Sequence, residues 1–257
     1  MIDTHAHLNF DDYNDIDSVI RRAKGAGVVK IINIGSDLKS SQIAVQLAQK
    51  HGELYSTVGI HPDEATDNIS IVAMVNELQR MIGPKVVAIG EAGLDYYRLE
   101  NDDYKKIQHE LFTCQIELAI KSSLPIIVHS READEDMYKI LKKYATKPNF
   151  KCVMHCFSGD EVFLEKIISL GIYVSFTGII TFPKTDKLEK AVFETPLDML
   201  MIETDCPFLA PQLYRGKRNE PSYLVEVAKK IAEIKNITLS DVEKCTTTNA
   251  TNFFNIA

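Results

Sequence analysis

MIDTHAHLNF, residues 1–10, sets two histidines one residue apart directly behind a short apolar start. On a β-strand, residues i and i+2 leave the same face, so His5 and His7 would converge. Alone, the pair could equally be two solvated side chains at a chain end. What separates the two readings is whether other strand ends carry matching groups.

The rest of the chain repeats the pattern of a short apolar, β-branched run followed by a longer amphipathic stretch. After the first run come VVKIINIG from Val28, LYSTVGIH from Leu54, VVAIGEAG from Val86, PIIVHSR from Pro125, CVMHCFSG from Cys152, IYVSFTG from Ile172 and LMIETDCP from Leu200. These are eight candidate strands. Between them lie helical patterns such as DIDSVIRRAKGAG, with Asp15 or Asp17 as N-cap, and YKKIQHELFTCQIELAIKSS, with apolar residues three and four apart. Eight βα units without a linker or a composition break predict a (β/α)8 TIM barrel in one domain spanning 1–257, with a doubly wound sheet as the alternative. The stretch FLAPQLYRGKRNEPSY after the eighth run reads as a long loop, and long loops in such folds tend to be functional.

Of the seven histidines, His5, His7, His61, His129 and His155 fall at or just past the C-terminal end of a candidate strand, whereas His51 and His109 fall on helices. In a β/α barrel that end is where residues distant in sequence meet and chemistry is built. Glu91 closes the fourth run and Asp205 the eighth, which adds two carboxylates. Histidine and carboxylate ligands suit divalent metals, and this set exceeds the three protein ligands usual for one catalytic zinc. Two divalent ions are therefore expected, with Glu91, whose two oxygens can bridge, holding both. Strand parity places Asp3 on the face of His5 and Glu203 on the face of Asp205, where each could orient a ligand.

Composition narrows the class. The 257 residues are 45% hydrophobic and 25% charged, with a formal net charge of −7, which argues against a surface that clings to nucleic acid throughout. Five cysteines without CxxC spacing predict free thiols, and no signal-peptide pattern or membrane-length apolar run is visible. A cytoplasmic protein with no membrane attachment and no obligate protein partner is the expectation.

The motifs DTHAHL (3–8), GIHP (59–62), GEAGLDYY (90–97), HSREA (129–133), HCFSG (155–159), ETDCPFLAP (203–211) and RNEP (218–221) resemble, in order and spacing, those of TatD-family metal-dependent hydrolases of the amidohydrolase superfamily. They span almost the whole chain. The resemblance implies His5, His7 and Asp205 on one metal, His129 and His155 on the other, and Glu91 shared. It also implies deoxyribonuclease activity, commonly 3′ to 5′ exonuclease action, with Mg, Zn or Mn as the ion. His61 carries over as a substrate contact. Asp63 departs from the pattern, standing where such proteins often have a histidine, which puts any contact assigned to that position in doubt.

Substrate groups can also be sought from charge alone. Arg131 lies two residues after His129 on the same strand face, and Arg215, Lys217 and Arg218 lie on the loop after the eighth run. Guanidinium groups pair with phosphate oxygens, and Arg131 is the favoured contact. With no basic aromatic stripe or recognition helix, the DNA is expected to be held by its backbone or end. Catalysis is expected from a metal-bridging hydroxide, with Asp205 orienting or deprotonating the water and Glu91 positioning the ions. Cys156 and Cys206 should face away by parity and are not expected as nucleophiles. Two other readings stand beside the nuclease: the same metals hydrolysing an acyl, amide or aminoacyl-tRNA ester bond, and a non-enzymatic binding module with structural metals.

Overall fold

The eight apolar runs form eight parallel strands hydrogen-bonded in sequence order, β1 (Ile2–Ala6), β2 (Lys30–Asn33), β3 (Leu54–Val58), β4 (Val86–Asp95), β5 (Ile126–Arg131), β6 (Cys152–Met154), β7 (Tyr173–Phe176) and β8 (Leu200–Ile202). The structure is a computed structural model, and it describes residues 1–66, 70–97, 99 and 101–256. A doubly wound sheet would permute the strand order about its first strand. Here the order is sequential and the two ends meet. Asp205 N–H donates to the His5 carbonyl (2.8 Å), His7 N–H donates to the Cys206 carbonyl (2.8 Å), and Ala6 bridges Cys206, so the sheet nearly closes into a barrel.

Helices α1 (Ile16–Gly25), α2 (Leu38–Lys50), α3 (Ile71–Met81), α4 (Asp103–Ser122), α5 (Asp134–Tyr144), α6 (Glu161–Ser169), α7 (Asp186–Glu194) and α8 (Leu224–Lys235) return the chain between strands and after the last. Their starts follow local chemistry. Asp37 and Ser40 form a reciprocal capping box at α2, whereas Asp15 precedes α1 as its N-cap residue without a side-chain hydrogen bond to the first turn. His51 is the residue that ends α2, just beyond its last turn, while His109 lies within α4. No helix among the described residues is long and apolar enough to cross a membrane.

A further helix, α9 (Leu239–Phe254), was not part of the alternating pattern. Its Phe253 and Phe254 pack with Ile2, Ile32, Ile127, Val153 and Met201, which come from five different strands. Asn249 pins the helix by donating to the carbonyls of Leu197 and Leu200 (2.7 and 2.8 Å). Burying large aromatic side chains contributes about 1.5–3 kcal/mol each. The apolar floor is thus separate from the opposite, polar rim.

Two strand ends differ from the expected ones. β4 continues through Gly93 to Asp95, so Glu91 lies inside the strand instead of closing it. A Cβ at Gly93 would run into the backbone of His129 on β5, so only glycine lets the two strands stay this close. β8 stops at Ile202, and Asp205 lies three residues beyond with φ of 53°. Aspartate is among the side chains that tolerate this left-handed region.

Candidate metal centre

All the histidines expected at the rim, together with Glu91 and Asp205, meet at the C-terminal ends of the strands. His5 sits on β1 and His7 just past it, His129 on β5, His155 one residue after β6, and His61 three residues after β3. His5, His7, Glu91 and His155 are buried, and the Asp205 side chain keeps 13% exposure to an open cleft of about 670 Å³.

The donor atoms fall into two groups on either side of one carboxylate. Glu91 Oε2 faces His5 Nε2 (3.4 Å) and His7 Nε2 (3.8 Å), and both imidazoles also face Asp205 Oδ1 (3.6 and 3.4 Å). Glu91 Oε1 faces His129 Nδ1 (2.9 Å) and His155 Nε2 (2.7 Å). His5 Nε2 and His7 Nε2 lie 3.2 Å apart, and neither ring has a partner at Nδ1. Donors around a tetrahedral ion with 2.0–2.2 Å bonds sit about 3.3–3.6 Å from one another, close to the 3.2–3.8 Å spacing of the first group. Groups of three drawn from these residues, such as His5, His7 and Glu91 or Glu91, His129 and His155, could each hold a metal ion.

The electrostatics suit a cation. Burial alone would raise the Glu91 carboxyl, but the imidazoles of His155, His129 and His5 outweigh it and hold it well below the usual range. Burial would lower His155, yet Glu91 and Glu203 raise it well above its ordinary value, and His129 is raised by Asp95 and Glu91 against the same penalty. His5 goes the other way, lowered by burial and by the charge of His155. Without metal, His155 and His129 therefore hold a proton more tightly than a free imidazole does, and a ligand imidazole must be neutral. Metal affinity should accordingly rise with pH up to those raised values, with proton release on binding at pH 7. Calorimetric titration with Mn in two buffers of different ionisation enthalpy measures it, and buffer-independent heats would contradict it.

Second contacts explain how the rim is held. Asp3 lies beneath His5, but its oxygens accept from Thr204 Oγ1 (2.6 Å), Thr204 N–H (3.0 Å) and the His5 backbone N–H (3.3 Å). It orients the seam between β1 and the segment bearing Asp205, not the His5 ring. Glu203 accepts from Cys156 N–H and Ser175 Oγ (both 2.6 Å) and stands 3.6 Å from His155 Nδ1. Asp95 was not anticipated: its Oδ2 takes His129 Nε2 at 3.1 Å, which leaves Nδ1 turned to the centre. Its parity with Glu91 on β4 was the available signal. Replacing a carboxylate that orients a metal-binding imidazole costs 10–100-fold in metal affinity, and Asp95→Asn should do so with the melting temperature nearly intact. Unchanged metal binding by calorimetry would remove that role.

At the mouth, Asp63 N–H donates to His61 Nδ1 (3.1 Å), which leaves Nε2, 3.7 Å from Glu91 Oε1, as the protonated nitrogen of a neutral ring. Burial lowers His61 to about 4, so it is neutral at pH 7. Asp63 lines the same cleft. Arg131 is exposed on the rim with its guanidinium 3.6 Å from the centroid of the Tyr97 ring. Arg218 does not reach the rim cluster: it lies over Tyr13 and donates to Asp15 (3.1 Å), part of a clamp in which Asn219 holds the Thr204 and Phe208 carbonyls and Glu220 grips Arg22. Arg215 and Lys217 stand outside the cleft lining, over Phe182 and Tyr214. Cys206 is fully buried, whereas Cys156, past the end of β6 where parity lapses, does line the cleft. Burial and the acids around it raise the Cys156 thiol well above its ordinary value, so it stays protonated.

A parallel β/α barrel whose rim gathers imidazoles around a buried carboxylate belongs to the class of metal-dependent hydrolases. Comparison with known proteins narrows that class. A family model described as TatD related DNase matches residues 2–255. The uncharacterized metal-dependent hydrolase YabD of Bacillus subtilis (strain 168) is 42% identical over 258 residues, covering 100% of this chain and 99% of its own. The uncharacterized metal-dependent hydrolase YcfH of Escherichia coli (strain K12) is 33% identical, covering 100% and 96%. Among solved structures, YJJV, a TatD homologue from Escherichia coli K12, superposes with a TM-score of 0.92 at 30% identity, covering 100% of this chain and 98% of that one. The chain belongs to the TatD family of metal-dependent hydrolases.

Proposed function

We propose that the protein is a deoxyribonuclease that binds two divalent ions, Mg, Zn or Mn, and removes nucleotides from DNA ends in the 3′ to 5′ direction. The observation that carries this reading is the Glu91 carboxylate, one oxygen turned to His5 and His7 and the other to His129 and His155, at the floor of an open cleft. The matched family's description as a DNase supports the substrate.

His5, His7 and Asp205 would hold one ion, His129 and His155 the other, and Glu91 both. When bound, two such ions supply Lewis-acid activation of water and of the scissile phosphate. The chain's own groups do the rest. Asp205, the more exposed of the two carboxylates in the set (13% against 6% for Glu91), accepts the proton of the attacking water, and its carboxyl is suited to this because His7 and His5 keep it ionised despite burial. His61 offers an uncharged Nε2–H to a phosphate oxygen. Arg131, flattened on Tyr97, presents its guanidinium edge to the phosphate at the strand end. Asp3 and Glu203 keep the two sides of the barrel seam and His155 in place.

The test is cleavage by metal-reconstituted protein of end-labelled single- and double-stranded DNA, run beside an aminoacyl-tRNA panel. Stepwise shortening from the 3′ end, lost on chelation and restored by Mn, is the expected result. Hydrolysis of the aminoacyl esters with intact DNA would overturn the assignment. Arg131→Ala should weaken DNA binding while metal content stays the same.

A further inference from the structure

On a protein of net charge −7, the loops after β7 and β8 are a local exception. They are knit together: Gln212 N–H donates to Thr181 Oγ1 (2.8 Å), and the Gly178 backbone lies too close to Leu209 and Pro211 for any side chain at 178. Their inner residues Ile179, Phe208 and Leu209 line the cleft. Their outer part carries Lys184, Arg215 and Lys217, all exposed and without an ion-pair partner among the described residues. The acids on these stretches outside the metal-facing cluster are Asp186, at the start of α7, and Glu220, which is bound by Arg22.

The cations are also held in place. The Arg215 guanidinium lies 5.5 Å from the centroid of Phe182, and the Lys217 ammonium 5.8 Å from that of Tyr214. A cation resting on an aromatic face has lost part of its rotamer freedom before any ligand arrives, so binding costs less. Phe208, at the cleft mouth, is 52% exposed, its ring edge-on to His7 and Phe10 with centroids 6.3 and 6.1 Å away. Exposed aromatic faces beside a run of cations are what unpaired nucleic-acid strands are bound by, since every base has a face to stack and every linkage a charge.

Resting on the nuclease reading above, we propose that these two loops form a track for a single nucleic-acid strand. Phe208 stacks on the base beside the scissile phosphate, and Arg215 and Lys217 hold backbone phosphates beyond it, flanked by Lys184. The strand thus runs from Arg131 at its end, across the metal centre, and out over the β7 and β8 loops.

The test uses the full-length, Mn-loaded protein and its Arg215→Ala/Lys217→Ala double variant with end-labelled single-stranded DNA of 4 and 20 nucleotides. The variant should lose about tenfold in kcat/KM on the longer strand, at least fivefold more than on the shorter one. Each phosphate contact to a single strand contributes about 0.7 to the salt dependence of binding, so the slope of log affinity for the longer strand, by fluorescence anisotropy, should flatten by about 1.4. Phe208→Ala, which removes the stacking face beside the scissile phosphate, should lower kcat/KM on both lengths alike. In the double variant, an unchanged slope with equal losses on both lengths would overturn the track and leave the nuclease reading standing. No cleavage of either strand by the wild type would overturn the nuclease reading and the track together.

Discussion

Glu91→Gln should lower the metal content toward one ion per chain and slow hydrolysis by about a thousandfold or more, the loss expected when several kcal/mol of Lewis-acid stabilisation disappears. The argument is geometric. Oε1 stands 2.7 Å from His155 Nε2 and 2.9 Å from His129 Nδ1, while Oε2 stands 3.4 Å from His5 Nε2. An amide keeps one oxygen and turns an NH2 group toward the other pair, where a donor cannot bind a cation. It also removes the negative charge that two adjacent divalent ions require. Folding should survive, because the apolar floor under Phe253 and Phe254 lies away from the rim. His155, deprived of the nearer of its two anions, releases its proton more readily and so avoids remaining a poorly compensated buried charge. Metal analysis of the purified variant, a nuclease assay and a melting curve decide the matter together. Two ions bound with near-normal cleavage would show that Glu91 does not bridge.

The parts of the site that could be read in advance are those that obey strand parity. His5 and His7 converge because the chain stays extended from Ile2 to Ala6, even though its pairing with β2 shifts register between Asp3 and Ala6, and the β-branched runs around Val28, Val86 and Ile126 mark strands because buried parallel strands have little use for polar residues. Two departures have local causes. The fourth run reads as closing at Glu91, and Gly93 just beyond it has the look of a terminator, since glycine often ends such runs. It is instead interior, at a point where β5 leaves no room for a side chain, and Asp95 was missed with the two residues it adds to the strand. Beyond Ile202 the chain is no longer a strand, so parity could not show how Asp205 reaches the cluster; a left-handed residue and the hydrogen bond to the His5 carbonyl do that.

The other omissions are tertiary. LSDVEKCTTTNATNFF has four threonines and two asparagines, residues of modest helix propensity, and α9 exists because its aromatic end covers apolar strand residues. Arg218, grouped by composition with the loop cations, is taken by Asp15 and Tyr13, partners some two hundred residues away in the chain. Counting charges on a loop cannot reveal such a partner. It was therefore Arg215 and Lys217 that remained available to a ligand.

Asp205→Asn should reduce kcat by a factor of about 10²–10⁴, the range associated with loss of a positioned proton acceptor, while KM changes little. The substitution is chosen to spare the backbone: asparagine tolerates the left-handed conformation at φ of 53° as aspartate does. The seam bond from its N–H to the His5 carbonyl is untouched. The amide oxygen can still face His7 Nε2, now 3.4 Å from Oδ1, so the side chain keeps its place. What it loses is the ability to take a proton, together with the charge that His7 and His5 sustain against burial. The His129, His155 and Glu91 side of the centre should keep its ion, because Asp205 does not enter that group of donors. Asp205→Ala adds the loss of a ligand and should lower metal content as well, which separates the proton-accepting role from the ligand role. If Asp205→Asn turned over within tenfold of the wild type with metal fully bound, the water's proton would have to leave through another group lining the cleft, with Asp63 and Asp95 among the candidates.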